Sequence, residues 1–387
     1  MIYDFDTPIN RKNTYSEKWN IKENELPMWV ADMDFTAAPE IRAAIEARAA
    51  HGVFGYTCIP DAWYEAYGDW WESRHSFRMQ KDWLVFCTGI VPAISSMVRK
   101  LTTPAEKVVL QTPTYNIFFN SILNNGRQVL ENPLKYDGKT YRMDFADLEE
   151  KLADPQTTLM ILCNPQNPTG NIWDRETLAK VGELCRKYHV IVISDEIHCD
   201  ITAPGCGYIP FASVSEACRE NSVTCIAPTK TFNLAGLQTA AVAVPNETLR
   251  HKVWRGLNTD EVGEPNAFAV DAAIAAFTKG GPWLDELCVY VDQNKKTVAE
   301  YVEKHIPQLT VVPSQTTYLI WMDGRAIPDV PGADPDLAHR IREKSGLYLC
   351  SGSQYGRNGE GFLRMNVACP SSMVREGLER LEASLKY

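Results

Sequence analysis

From about residue 83 the chain alternates short apolar runs with helix-forming stretches, and this alternation constrains the fold more than any other feature. Apolar runs occupy residues 83–87, 107–111, 159–163, 190–194, 223–227 and 240–244. Each is too short for a buried helix and is followed by a turn-forming or polar segment, so each reads as a buried strand. Between them, residues 90–101 read as a helix after the turn Thr88-Gly89, and Asp174 reads as the N-cap of a helix running to about residue 188. Strands alternating with helices predict an α/β fold around a mostly parallel sheet. After about residue 285 the texture changes. Residues 285–305 form one long amphipathic pattern, followed by strands near residues 310 and 318 and a last helix from about residue 372. The expected organisation is a large domain over 51–285 and a smaller α+β domain over 286–387. Residues 1–50 are expected to be an N-terminal arm that belongs in part to the small domain, with a proline-started helix over 39–50. Residues 327–335 read as a surface loop.

Bulk properties narrow the function classes. The chain has 387 residues, 45% of them hydrophobic and 23% charged, which is ordinary for a globular protein with a large core. A net charge of −10 argues against nucleic acid or an anionic membrane as the main partner. No apolar run approaches the roughly 20 residues needed to cross a bilayer, and residues 1–6 lack the basic-then-apolar pattern of a signal peptide. Eleven cysteines show no framework spacing and no C-x-x-C pair, so buried, reduced thiols and a cytoplasmic setting are expected, without a zinc site.

The chemistry is concentrated where the strand-like runs end. Lys230 follows the run 223–227 within Ala227-Pro228-Thr229-Lys230-Thr231-Phe232-Asn233. A lysine taken alone reads as a surface residue, but one set after a buried strand would have a depressed pKa and could attack an aldehyde to form an imine. Asp195 ends the run 190–194, at the sheet edge where ligands of open α/β sheets bind. It reads either as a helix N-cap or as a carboxylate that pairs a protonated pyridine nitrogen. Asn164-Pro165-Gln166-Asn167-Pro168-Thr169-Gly170 combines restricted and permissive backbone positions, which can aim Asn167 at a phenolic oxygen. An imine-forming amine, a carboxylate and an amide are together the set that pyridoxal 5'-phosphate requires. Thr88-Gly89-Ile90-Val91 opens a helix, whose free N–H groups suit a phosphate, and Thr229 could add a hydroxyl. Tyr115, after the second run, is either a core aromatic or a ring that stacks on a flat cofactor. Arg364 lies inside the apolar run 362–367 and needs an anionic partner, either an internal carboxylate or a substrate α-carboxylate.

With these residues in place, the chain resembles fold-type-I pyridoxal-phosphate enzymes of the class I/II aminotransferase superfamily. Trp29-Val30-Ala31-Asp32-Met33-Asp34-Phe35, His51-Gly52-Val53-Phe54-Gly55-Tyr56 and Lys230-Thr231-Phe232-Asn233-Leu234-Ala235-Gly236-Leu237-Gln238 are similar to its cystathionine β-lyase / C–S lyase branch, the MalY/PatB type. The resemblance covers roughly residues 20–380. It implies that Lys230 holds the cofactor and later removes the Cα proton, that Asp195 pairs the pyridine nitrogen, and that Asn167 meets the phenolic oxygen. It also implies that Tyr115 stacks on the ring, that Gly89, Ile90 and Thr229 hold the phosphate, and that Arg364 binds the substrate carboxylate. Trp29 and Asp32 are implied in the substrate pocket. Tyr56 is implied to reach the phosphate of a neighbouring subunit, so a homodimer with shared active sites is expected. Two positions depart from the aminotransferase pattern: Gln238 stands where many members carry a phosphate-gripping Arg, and His198 stands where Tyr is common. Gln238 fits the lyase branch.

The expected activity is α,β-elimination from L-cystathionine or a related L-cysteine S-conjugate, giving a thiol, pyruvate and ammonia. An aminotransferase is the nearest alternative, and a regulatory protein that keeps the cofactor for its structure is another.

Overall fold

The computed structural model describes residues 2–328 and 336–386. Seven strands among them form one large sheet: β1 Leu84–Cys87, β2 Lys107–Leu110, β3 Gln128–Glu131, β4 Thr157–Cys163, β5 Ile191–Asp195, β6 Ser222–Ile226 and β7 Ala240–Ala243. Their order is β1-β7-β6-β5-β4-β2-β3. Only β7 runs against its neighbours; the other six strands are mutually parallel. Their carboxyl ends therefore lie along one edge, and the segments that follow them meet there.

Both faces of the sheet are covered. All five residues of β6 are buried, as are four of the five in β5. Such doubly covered strands read as continuous apolar runs, which is why they were legible. The expected helix after β1 is Ile90–Leu101. Asp174 caps the helix Arg175–Lys187 by accepting from the Thr177 N–H at 2.7 Å. β1 is one residue shorter than the apolar pattern, because Lys81–Trp83 form a 3-10 turn. β3 was not expected: Gln128-Val129-Leu130-Glu131 is a polar-ended strand at the sheet's edge and leaves no long apolar run.

The second sheet is antiparallel and holds β8 Thr310–Val311, β9 Leu319–Asp323, β10 Cys350–Ser351 and β11 Phe362–Asn366, in the order β8-β9-β11-β10. A helix, Gly281–His305, leads into it, so the change of texture near residue 285 falls inside a helix rather than in a linker. The N-terminal segment returns to this second sheet. Leu26–Pro27 pairs in parallel with Leu347–Tyr348, and the Asn366 N–H donates to the Met28 carbonyl at 2.9 Å. The expected loop over 327–335 lies outside the described residues from 329 onward. Among the described residues no helix is long and apolar enough to cross a membrane, and the eleven cysteines are free.

Candidate active site

Asp195 is the last residue of β5, level with Cys163 of β4 and Cys225 of β6. Lys230 lies just past β6 in the single turn Pro228–Thr231. That turn is tied down by the buried carboxylate of Asp200, which accepts from Thr231 Oγ1 at 2.8 Å, Trp70 Nε1 at 2.9 Å and pairs with His75 Nε2 at 2.9 Å. Behind Asp195, the buried carboxyl of Glu196 takes hydrogen bonds from Ser194 Oγ at 2.7 Å, the Phe211 N–H at 3.0 Å and the Tyr208 hydroxyl. Sequence reasoning missed both carboxylates; the run Asp195-Glu196-Ile197-His198-Cys199-Asp200, with three acids after a buried strand, was the signal available.

Burial sets the ionisation of the site. It pushes the Asp195 carboxyl up to about 7, against a hydrogen bond from the Ile197 N–H and the nearby Lys230 amine. Burial and the Arg364 charge push the Lys230 amine down to about 8. His198 is driven down to about 3 by burial, then by Lys230, Arg364 and Lys295, so its imidazole is neutral. An amine titrating near neutrality can act both as nucleophile and as proton acceptor.

Asn167 and Arg364 meet across the two sheets, Arg364 Nη1 donating to Asn167 Oδ1 at 3.4 Å. Arg364 Nη2 donates to the Trp29 carbonyl at 2.9 Å, and its guanidinium lies over the Tyr355 ring at 5.0 Å. Of these buried groups, Arg364 Nε and His198 Nδ1 have no hydrogen-bond partner among the described residues. Tyr115 is part-buried, with Arg364 and Asp195 close enough to act on its phenol, which burial pushes upward. Gly170 closes the Asn167 loop with φ of 74°, and a Cβ there would collide with Ser314, so the loop packs directly onto the segment leading into β9.

Gly89 and Ile90 lie at the same sheet edge. The helix Ile90–Leu101 starts there with no side-chain cap and no acidic residue in its first turn. Its first N–H groups therefore face no competing carboxylate of their own helix. Thr229 is buried one residue before Lys230, and Gln238 takes a left-handed conformation, φ 50°, after the turn Ala235–Leu237.

The remaining expected residues are placed differently. Trp29 touches Arg364 through its carbonyl, while its indole stacks on Tyr348 at 4.6 Å and donates to the Lys18 carbonyl. The Asp32 carboxylate is gripped by Arg11 at 2.7 and 3.0 Å. Tyr56 is fully exposed, and the structure does not bring it to this cluster within one chain. Sequence reasoning also missed the clasp behind residues 29–35. Lys18, wholly buried, pairs with buried Asp34 at 2.6 Å, and Arg11 and Trp19 Nε1 each donate to Asp34 at 2.8 Å. Asn233, three residues after Lys230, accepts from the Met33 N–H and donates to the Met33 and Phe35 carbonyls, each at 3.0 Å. Lys230 Nζ itself donates to the Ala31 carbonyl at 2.6 Å.

The sequence pattern of the family described as aminotransferase class I and II matches residues 20–381. The chain is similar to cystathionine beta-lyase PatB of Bacillus subtilis, 42% identical with 99% of this chain and all of that protein covered. Among solved structures it is similar to the PLP-bound C–S lyase from Staphylococcus hominis, with a TM-score of 0.94 and 32% identity over 99% of both chains. It is also similar to cystalysin from Treponema denticola, whose structure contains pyridoxal 5'-phosphate, with a TM-score of 0.95 and 31% identity over 100% of this chain and 99% of that one.

Proposed function

The chain belongs to the aminotransferase class I and II family, and from that premise we propose that it is a pyridoxal-phosphate-dependent carbon–sulfur β-lyase. Its substrates are L-cystathionine or related L-cysteine S-conjugates, cleaved to a thiol, pyruvate and ammonia. The observation that carries this reading is the convergence of Lys230, Asp195 and Asn167 at one sheet edge with Arg364 reaching them from the second sheet, in a chain similar over its whole length to C–S lyases.

The residues present fit the cofactor. A buried carboxylate that prefers to be neutral welcomes a cationic partner, and Asp195 is such a group. The unpartnered Nδ1 of His198 and Nε of Arg364 leave buried polar capacity unused. The uncapped helix start at Gly89-Ile90 suits a phosphate. When bound, pyridoxal phosphate supplies an electron sink for the substrate's α-carbon.

The chain's own residues do the rest. Lys230 Nζ anchors the cofactor and, once released, takes the Cα proton. Asp195 would keep the pyridine nitrogen of the bound cofactor protonated, and Asn167 would hold its phenolic oxygen, with neutral His198 as a further hydrogen-bonding group. Tyr115 would lie against the ring of the bound cofactor, while Gly89, Ile90 and Thr229 would hold its phosphate. Arg364 grips the substrate carboxylate and so fixes which α-bond stands ready to break. The Cβ–S bond then breaks with its electron pair on sulfur, and water releases the remaining three-carbon fragment as pyruvate and ammonia. Trp29 and Asp32 shape the substrate side of the pocket. The exposed Tyr56, flanked by exposed Val53 and Phe54, fits a homodimer in which it reaches the neighbour's phosphate. The free thiols fit a cytoplasmic setting. On this reading the chain divides into an arm of 1–50 that belongs in part to the small domain, a cofactor domain of 51–285 and a small domain of 286–387; the presence of two separate sheets supports this division, although the 285/286 boundary falls inside the helix Gly281–His305.

The test is incubation of the cofactor-loaded protein with L-cystathionine in the absence of any keto acid, following pyruvate and free thiol together. Equal, sustained release of both is expected, and Lys230→Ala should lower it by about 10⁴-fold or more. Amino-group exchange that appears only when a keto acid is added would overturn the lyase reading.

A further inference from the structure

The two halves of the site share one atom. The Ala31 carbonyl oxygen accepts from Lys230 Nζ at 2.6 Å and from the Tyr318 hydroxyl at 3.0 Å. This carbonyl is held rigidly, because Asn366 Nδ2 donates to the carbonyls on either side of it, Val30 and Asp32, both at 2.6 Å. Tyr318 is buried directly before β9, and its ring stands edge-on to His198 at 6.1 Å. Arg364, Asp32 and Tyr115 are close enough to act on its phenol, and Arg364, Asp32 and Asp195 on the Lys230 amine. A buried tyrosine usually gives its hydroxyl to some backbone carbonyl. Here the chosen carbonyl is the one that receives the reactive amine, and its two lone pairs are thereby both engaged.

We propose that Tyr318 is a positioning residue: with the Ala31 carbonyl it forms a fixed cradle that holds the Lys230 amine, once free of the cofactor, where it takes the proton from the substrate's α-carbon. The hydroxyl competes for the carbonyl, so the carbonyl orients the amine without binding its charged form too tightly to return the proton. The proposal rests on the lyase reading for the identity of that proton, but the cradle itself is a property of the cofactor-free chain.

The experiment compares wild type with Tyr318→Phe, which keeps the ring. In the cofactor-free protein, the rate of imine formation with added pyridoxal phosphate is followed against pH. Without the competing hydroxyl the carbonyl serves the ammonium alone, so the midpoint should rise by about half a pH unit or more. In the loaded enzyme kcat should fall about tenfold with KM unchanged, and the isotope effect with α-deuterated substrate should increase. A second protein, with 3-fluorotyrosine at position 318, keeps the hydroxyl and strengthens it as a donor; its midpoint should move the opposite way, downward. An unchanged midpoint in both, or a rise in KM with kcat intact, would overturn the proposal. If wild type exchanges amino groups with a keto acid but releases no thiol, the lyase reading fails, while the cofactor-free titration still decides the role of Tyr318.

Discussion

The proposed cofactor side of the site and its proposed substrate side are built in different ways. Asp195, Asn167 and Lys230 emerge from the ends of adjacent parallel strands, so a short local segment after each strand delivers its residue to the same edge. The substrate side is assembled from distant pieces: Arg364 meets the carbonyl of Trp29 across 335 residues of chain, and Lys230 meets Ala31 across 199. The first side depends on strand pairing within one sheet. The second depends on the N-terminal arm, which Arg11 and Lys18 clasp internally through Asp32 and Asp34 and which Asn233 and Asn366 tie to the rest of the chain. Damage to the arm should therefore disturb substrate handling and stability while leaving the strand-end residues in place.

The sharpest way to break that contrast is Asp34→Asn. It removes the nearest carboxylate from wholly buried Lys18, leaving it the Asp32 carbonyl at 3.2 Å and the Asp32 carboxylate at 3.7 Å, and losing one partner of a buried pair costs about 3–5 kcal/mol. Chemical denaturation should show this loss, and in the protein that remains folded KM for the S-conjugate should rise more than cofactor affinity falls. Equal damage to both would mean that the two sides are not separable.

Asp195 tests the cofactor side through pH. Its folded pKa lies at about 7, well above the ordinary carboxylate value of 3.8, so the folded cofactor-free protein holds an extra proton across that interval. Its contribution to stability is present below about pH 4 and is lost as pH rises to about 7, amounting to a few kcal/mol. Asp195→Asn should flatten that slope in thermal melts of the cofactor-free protein. Loading with pyridoxal phosphate should flatten it too, because a pyridinium favours the carboxylate.

Arg364→Lys keeps the charge on the substrate side but removes the planar fork. The expected loss in kcat/KM is about 2–3 kcal/mol, chiefly as a raised KM, with the cofactor's absorption spectrum unchanged. A changed spectrum would show that Arg364 serves the cofactor side as well. The smallest effect on folding is expected for Tyr56→Ala. Its side chain is fully exposed within the chain, so stability should change by no more than about 0.5 kcal/mol. Cofactor retention should nevertheless weaken, with activity restored by added pyridoxal phosphate; an undiminished affinity would remove Tyr56 from the site.

The difference between the two sides also explains what could be read in advance. Strands buried on both faces leave continuous apolar runs, so β1, β2, β4, β5, β6 and β7 were visible within a residue or two. The residues following them were visible as chemistry for the same reason. β3 escaped because an edge strand needs no such run, and the reversed direction of β7 escaped because direction leaves no trace in composition. The partners of Asp34, the donors to Glu196 and Asp200, and the carbonyl shared by Lys230 and Tyr318 escaped because each joins segments whose separation in sequence carries no periodicity.

The sequence by itself determined the α/β architecture and the set of reactive groups, because apolar period and strand-end polarity are local properties. Only the tertiary structure decided that Trp29 serves Arg364 through its backbone rather than its indole, that Asp32 is held by Arg11, and that Ala31 receives the Lys230 amine. The physical reason is that a backbone carbonyl is present at every residue and acquires a role only when folding removes it from water and brings particular donors to it.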